Sequence, residues 1–143
     1  MDAVQNTLVP ELTVSDYAAS VAFYRDLLGF SVRYARPEEG FGFVELGAAQ
    51  LMLDQADKGR TFAVDGAVLE KPFGRGVNFQ IEVEAVSPML ARLVEAGVTL
   101  YLPLEDKWYR AGDMERGNRQ FAVADPDGYL LRFFESLGER PAI

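Results

Sequence analysis

Two stretches of this chain repeat one another, and that repeat restricts the fold more than any single residue does. Leu12-Thr13-Val14-Ser15-Asp16 leads into a helical run that stops at Gly29 and resumes as Phe30-Ser31-Val32. Phe79-Gln80-Ile81-Glu82-Val83 does the same through Ser87-Pro88 to Gly97 and Val98-Thr99-Leu100. Leu12 to Phe79 and Gly29 to Gly97 are offsets of 67 and 68 residues. A register kept to one residue across half a chain marks two copies of one strand–helix–strand unit.

Each copy carries its own punctuation. In the first, Ser15 or Asp16 caps a helix whose apolar pairs Phe23/Leu27 and Tyr24/Leu28 fall at i,i+4, and Gly29 ends it. In the second, Ser87 caps, Pro88 takes the first helical position, Leu90, Leu93 and Val94 form the stripe, and Gly97 closes it. Alternating segments after each helix predict strands over 30–35, 41–46 and 49–54, then over 98–102, 120–124 and 129–134. Both halves therefore read β-α-β-β-β. The fold class is α+β: one domain over 1–143, with repeat one about 8–54, a linker 55–75 and repeat two about 76–135.

With 143 residues, 49% hydrophobic, there is apolar material for one compact core or two small ones. No apolar run reaches membrane-spanning length and no basic segment with an apolar follower opens the chain, which points to a cytoplasmic protein without a membrane partner. The absence of cysteine removes disulfides, thiolate catalysis and zinc–thiolate sites. A net charge of −8 argues against nucleic acid and favours a cationic ligand, though it also serves solubility. No histidine exists to activate a serine, so triad chemistry is excluded. Asp125-Pro126-Asp127-Gly128 reads as a turn, and the glycines around Lys71–Gly76 as the inter-repeat linker.

Val9-Pro10-Glu11-Leu12-Thr13-Val14-Ser15-Asp16, Phe23-Tyr24-Arg25-Asp26-Leu27-Leu28-Gly29-Phe30, Asn118-Arg119-Gln120-Phe121 and Asp125-Pro126-Asp127-Gly128 together resemble the vicinal oxygen chelate superfamily. That superfamily includes glyoxalase I, extradiol dioxygenases, fosfomycin-resistance enzymes and bleomycin resistance proteins. The resemblance runs from about Leu8 to Phe134 and implies curved mixed sheets around a concave cavity. It also implies metal-ligand positions, which here carry Val9, Gly76, Leu51 or Leu53, and Arg132. An aliphatic side chain, a glycine and a guanidinium do not ligate a divalent cation, so no metal and no cofactor is expected.

If Val9 faces the cavity, alternation puts Glu11 and Thr13 on the same face and Leu12 and Val14 in the core. The same count from Gly76 sends Asn78, Gln80 and Glu82 to the cavity and Val77, Phe79, Ile81 and Val83 to the core. From Arg132 it sends Leu130 and Phe134 inward. Phe41, Phe43 and Glu45 join the cavity face, because Val44 and Leu46 make better core. Trp108 and Tyr109 fall in Pro103–Arg119, read as a 17-residue loop, where Trp108 either touches a ligand or anchors the loop. The candidate ligand-binding set is Glu11, Phe41, Phe43, Glu45, Asn78, Gln80, Glu82, Trp108, Tyr109, Arg119 and Arg132.

Resemblance to the bleomycin resistance branch implies a metal-free, non-catalytic homodimer that sequesters a cationic, aromatic-bearing antibiotic in grooves between subunits. Pro10 matches the hinge proline of an exchanged N-terminal strand in that branch. The stacking tryptophan that the branch places before its Gly-Arg pair is Gly117 here. Two alternatives stand beside this reading: a binder of another aromatic or peptidic metabolite, and an enzyme of the same fold holding Mg²⁺ or Mn²⁺ through Glu11, Glu45 and Glu82 alone.

Overall fold

The repeat is realised as two sheets of identical strand order. The computed structural model describes residues 4–143, which divide into two compact units. One runs to Phe73 and includes the turn Asp125–Asp127; the other comprises Gly74–Ala124 and Gly128–Ile143.

In the first unit, β1 (Glu11–Val14), α1 (Tyr17–Ala22), β2 (Ser31–Arg36), β3 (Phe41–Leu46) and β4 (Ala49–Gln55) form a sheet ordered β1-β4-β3-β2. β1 lies parallel to β4 and the other pairs are antiparallel. Asp16 is the cap of α1, its Oδ1 accepting from the Ala19 N–H at 3.2 Å. A π-helical turn, Phe23–Leu27, continues the helix, and Gly29 at φ +83° reverses the chain as the sequence requires. Leu12, Val14, Val44, Leu51 and Leu53 fill one face of the sheet together with Val21, Tyr24 and Leu28 of the helical segment. Gly42 is demanded by packing, since a Cβ there would collide with the Tyr17 ring and hydroxyl.

The Asp125-Pro126-Asp127 turn is more than a link between strands. Both carboxylates are buried: Asp125 Oδ2 accepts from the Tyr24 hydroxyl at 2.7 Å, and Asp127 Oδ2 from the Ser15 N–H at 3.1 Å. Lys71 Nζ stands 3.6 Å from Asp127 Oδ1. Buried charge held this way is stabilising only while its partners remain, which makes the turn a structural anchor of the first unit.

In the second unit, β5 (Asn78–Glu82), α2 (Ser87–Glu95), β6 (Leu102–Ala111), β7 (Met114–Ala124) and β8 (Leu130–Pro141) form a sheet ordered β5-β8-β7-β6. Ile81, Phe121, Val123, Leu131 and Phe133 are buried on one face, with Val86, Met89 and Leu93 from the α2 side. Expectations around β5 and α2 need correction: of the expected stripe Leu90, Leu93 and Val94, Leu93 is buried but Val94 is exposed, and Met89 supplies buried surface in its place. Ser87 makes no side-chain cap, and the Val86 N–H instead donates to Glu135 Oε1 at 3.1 Å. Val77 is half exposed rather than in the core.

The larger correction concerns Pro103–Arg119. It is not a loop but most of an antiparallel hairpin, closed by the two residues Gly112-Asp113 between the paired Ala111 and Met114. The strand expected over 98–102 starts only at Leu102, and β8 runs on to Pro141 beyond the expected 134. This three-stranded extension carries charged residues on both faces, so the apolar–polar alternation that betrays a half-buried strand is missing from its sequence.

Candidate functional site

Pairing register decides which side chains of the second unit share a face. Asn78, Gln80 and Glu82 on β5 lie opposite Leu130, Arg132 and Phe134 on β8; Gln120 and Asn118 follow on β7, then Glu105, Lys107 and Tyr109 on β6. Cross-strand partners project to the same side, so these residues form the face away from the buried apolar one.

Their polar groups form one connected set. The Arg132 guanidinium donates to Asn78 Oδ1 at 3.2 Å and to Gln120 Oε1 at 3.3 Å, with the Tyr109 hydroxyl 3.5 Å away. The amide of the buried Gln120 donates to the Tyr109 hydroxyl at 2.7 Å and to Glu105 Oε2 at 2.8 Å. Arg132 also lies 6.0 Å from the Tyr109 ring centroid. A buried amide with both ends used fixes the rotamers around it, so Tyr109 and Arg132 are held rather than free. Beside them opens a cleft of about 330 Å³ lined by Gln80, Glu82, Tyr109, Arg116, Asn118 and Phe134 among others. Acidic, basic and aromatic surfaces thus converge in a concave space of small-molecule size.

Trp108 and Arg119 do not belong to this face. Alternation along β6 turns Trp108 to the opposite side from Tyr109, where its ring lies over Gly117, so closely that a Cβ at Gly117 would sit 2.8 Å from the indole. The Arg140 guanidinium covers the ring at 4.0 Å from its centroid. Trp108 therefore fills the space left by the glycine at 117, from across the hairpin. Arg119 shares that side and binds Asp106 through two hydrogen bonds of 2.9 and 3.1 Å, which hold the Asp106 carboxyl below the ordinary range.

The corresponding face of the first unit is differently furnished. Glu11, Met52, Phe43 and Tyr34 stand in one cross-strand row. Phe43 was expected to line a cavity, but it is fully buried, because Arg33 is the extra residue of a bulge in β2 and lies on the same side as Tyr34. The Tyr34 ring stacks on Phe43 at 5.3 Å and the Arg33 guanidinium covers it at 5.5 Å. Phe41 is likewise buried beneath Arg36 at 4.1 Å. Glu45 is half-buried, accepting from Gln50 Nε2 at 3.1 Å with Arg33 at 3.9 Å. Glu11 and Asp54, diagonal neighbours on the same face of β1 and β4, line a second cleft; burial first, and then the Asp54 charge, push the Glu11 carboxyl above the ordinary range. Asp54 is raised by burial and by Glu39, against the opposing pull of Arg36.

At the positions the resemblance assigns to metal ligands, the donor set does not fit a divalent cation. Leu51 and Leu53 point into the core, Gly76 offers no side chain, and Arg132 presents a hydrogen-bonded cation. Among the described residues no three His, Cys, Asp or Glu side chains gather as a metal-holding group.

The sequence matches the family model of the Glyoxalase/Bleomycin resistance protein/Dioxygenase superfamily over residues 5–133. It is 30% identical over 135 residues to a bleomycin resistance protein of Geobacillus stearothermophilus and to one of Staphylococcus aureus, covering 90% of this chain and 96% of each relative. Among solved structures, TioX from Micromonospora sp. ML1 shares the fold with a TM-score of 0.70 at 24% identity, covering 93% of this chain and 100% of that one. A lactoylglutathione lyase from Agrobacterium tumefaciens shares it at a TM-score of 0.59 and 20% identity, covering 94% and 96%. Doubled strand order, the motif set and a family match over nearly the whole chain agree: the chain belongs to the Glyoxalase/Bleomycin resistance protein/Dioxygenase superfamily.

Proposed function

We propose that this protein is a metal-independent binding protein of the bleomycin resistance type, which takes up a cationic, aromatic-bearing antibiotic and holds it without chemical change. The observation that carries this reading is Arg132: at a position where the metal enzymes of the family place a ligand, a guanidinium is bonded to Asn78 and Gln120 and stands against Tyr109. A fixed positive charge there opposes a divalent cation. Kinship with bleomycin resistance proteins supports the ligand class.

The cleft of the second unit supplies complementary groups. Glu82 offers a carboxylate to a cationic ligand, Tyr109 and Phe134 offer rings to a planar heteroaromatic one, and Gln80 and Asn118 offer amides. The protein acts as a homodimer, each cleft completed by the neighbouring subunit. Titration calorimetry with a cationic glycopeptide of the bleomycin class, in the presence of a chelator, tests the proposal. Saturable binding of one ligand per chain is expected, and failure to bind, or binding only after metal is restored, would refute it.

A further inference from the structure

The hairpin that replaced the expected loop leaves β6 as one edge of the second unit's sheet, paired only with β7. Ten residues of exposed strand edge are an invitation to pair unless something blocks them. Near its start β6 is blunted by Pro103 and by an irregular register between Leu102 and Glu105, but from Glu105 to Ala111 the pairing with β7 is unbroken.

The turn fixes which backbone groups remain available. In a hairpin closed by two residues, the flanking pair Ala111 and Met114 exchange both hydrogen bonds. Counting back by twos, the N–H and C=O groups of Tyr109 and Lys107 also point to β7, whereas those of Arg110, Trp108 and Asp106 point outward.

We infer that the β6 edge pairs with the β6 edge of a second copy of this chain, antiparallel about a two-fold axis at Trp108. Such pairing sets Trp108 against the partner's Trp108 and Asp106 against the partner's Arg110, twice over, through the outward-facing groups. On the other face it sets Lys107 against the partner's Tyr109. Moving the axis to Lys107 would oppose two lysines, and moving it to Tyr109 would oppose each Trp108 to a guanidinium and leave Asp106 beyond the pairing. Charge complementarity therefore selects both the partner and the register.

Local geometry agrees. Arg110 is exposed and its side-chain hydrogen bond goes to the Gly112 carbonyl at 2.9 Å, while Glu115, its cross-strand neighbour on β7, is ion-paired with Arg140 at 2.8 Å. Asp106, held by Arg119 on its inner side, is exposed toward the edge. The Trp108 ring lies over Gly117, away from the edge, so two copies of Trp108 meet through backbone without a ring collision. Pairing in this way places the partner's Lys107 beside Tyr109, so each cleft gains a residue from the neighbouring chain. This deepens the proposed homodimer by naming its contact, while ligand binding is measured independently of it.

Sedimentation equilibrium and amide hydrogen exchange on the ligand-free protein test the pairing. A dimer is expected in which the Asp106, Trp108 and Arg110 amides become protected as concentration rises, while Lys107 and Tyr109 are protected throughout. Arg110→Asp should raise the dimer dissociation constant by about tenfold or more, because each attraction becomes a repulsion at two symmetric positions. The combined Asp106→Arg, Arg110→Asp, Arg119→Asp variant restores opposite charges across the Asp106–Arg119 and Asp106–Arg110 contacts and, with Glu115→Gln added to remove the carboxylate across the hairpin from position 110, should restore the dimer. A monomeric wild type, a dimer whose outward amides exchange freely, or an Arg110→Asp variant that dimerises unchanged would each overturn the inference. Loss of ligand binding with these results intact would count against the proposed function alone.

Discussion

The two units share strand order and direction, yet the faces turned away from their buried apolar sides have opposite characters. In the first unit the face is closed by its own side chains: Tyr34 and Arg33 cover Phe43, and Arg36 covers Phe41. In the second unit the aromatic groups are left open, and what is tied down is the polar set of Arg132, Gln120 and Tyr109 around them. A bulge of one residue in β2 is enough to account for the closure of the Phe43 row. Duplicated architecture therefore does not bring duplicated chemistry, because a binding face depends on which side chains are spent on covering one another.

Truncation of one aromatic residue from each face should expose that contrast. Phe43→Ala is expected to destabilise the protein by about 3–5 kcal/mol, as a buried ring replaced by a cavity does, measured by denaturant unfolding. Phe134→Ala, at a half-buried ring lining the second unit's cleft, should lower stability far less and weaken ligand binding instead. Equal stability losses for the two would erase the distinction between closed and open faces.

Next in size are the anchors of the polar groups. Tyr24→Phe removes one hydroxyl donor from the buried Asp125 carboxylate and should cost about 1–3 kcal/mol, because that hydrogen bond to a charged group is buried. Tyr109→Phe removes a hydroxyl from a partly exposed set in which Glu105 and Arg132 still serve Gln120, and about 1 kcal/mol or less is expected. Thermal unfolding of both variants checks the order.

The two tryptophan and tyrosine neighbours separate the faces of the hairpin. Tyr109→Ala should weaken ligand binding by about tenfold, whereas Trp108→Ala should leave affinity nearly unchanged and loosen the hairpin over Gly117. The reverse result would place the ligand on the Arg140 side.

The smallest effect concerns Glu11. Its carboxyl is raised in the folded protein by burial and by Asp54, so the folded state binds more protons than the unfolded one between the ordinary and the raised value. Stability contributed by Glu11 is therefore lost as pH rises through that window. Glu11→Gln should raise the melting temperature slightly near neutral pH and leave it unchanged in acid, where the wild-type carboxyl is already protonated. A lower melting temperature of Glu11→Gln near neutral pH would mean that the charge has a favourable partner.

Much of the architecture was legible because burial leaves a period in the sequence. The repeat, β3 over Phe41–Leu46 and the alternation of Leu12 and Val14 with Glu11 and Thr13 all follow from one face being apolar. Gly29 and Gly97 announced helix ends through a backbone conformation that other residues resist. The hairpin of β6 and β7 escaped because both of its faces carry charge. Phe43 was placed on the correct side but taken as exposed, since its cover depends on the bulge at Arg33, which no local pattern marks. Gln120 was legible as part of a family motif but not as a site residue; an amide between Arg119 and Phe121 gives no such signal until the pairing of β6, β7 and β8 brings Glu105, Tyr109 and Arg132 around it.

A calorimetric titration of a metal-free cationic glycopeptide into wild type and Tyr109→Ala, at low and moderate ionic strength with chelator throughout, decides whether the second unit's open face is the binding site. Wild type should bind with an affinity that falls as salt screens Glu82, and Tyr109→Ala should bind about tenfold more weakly at both ionic strengths. Identical isotherms for the two proteins, or no heat of binding from wild type until metal is added, would contradict it.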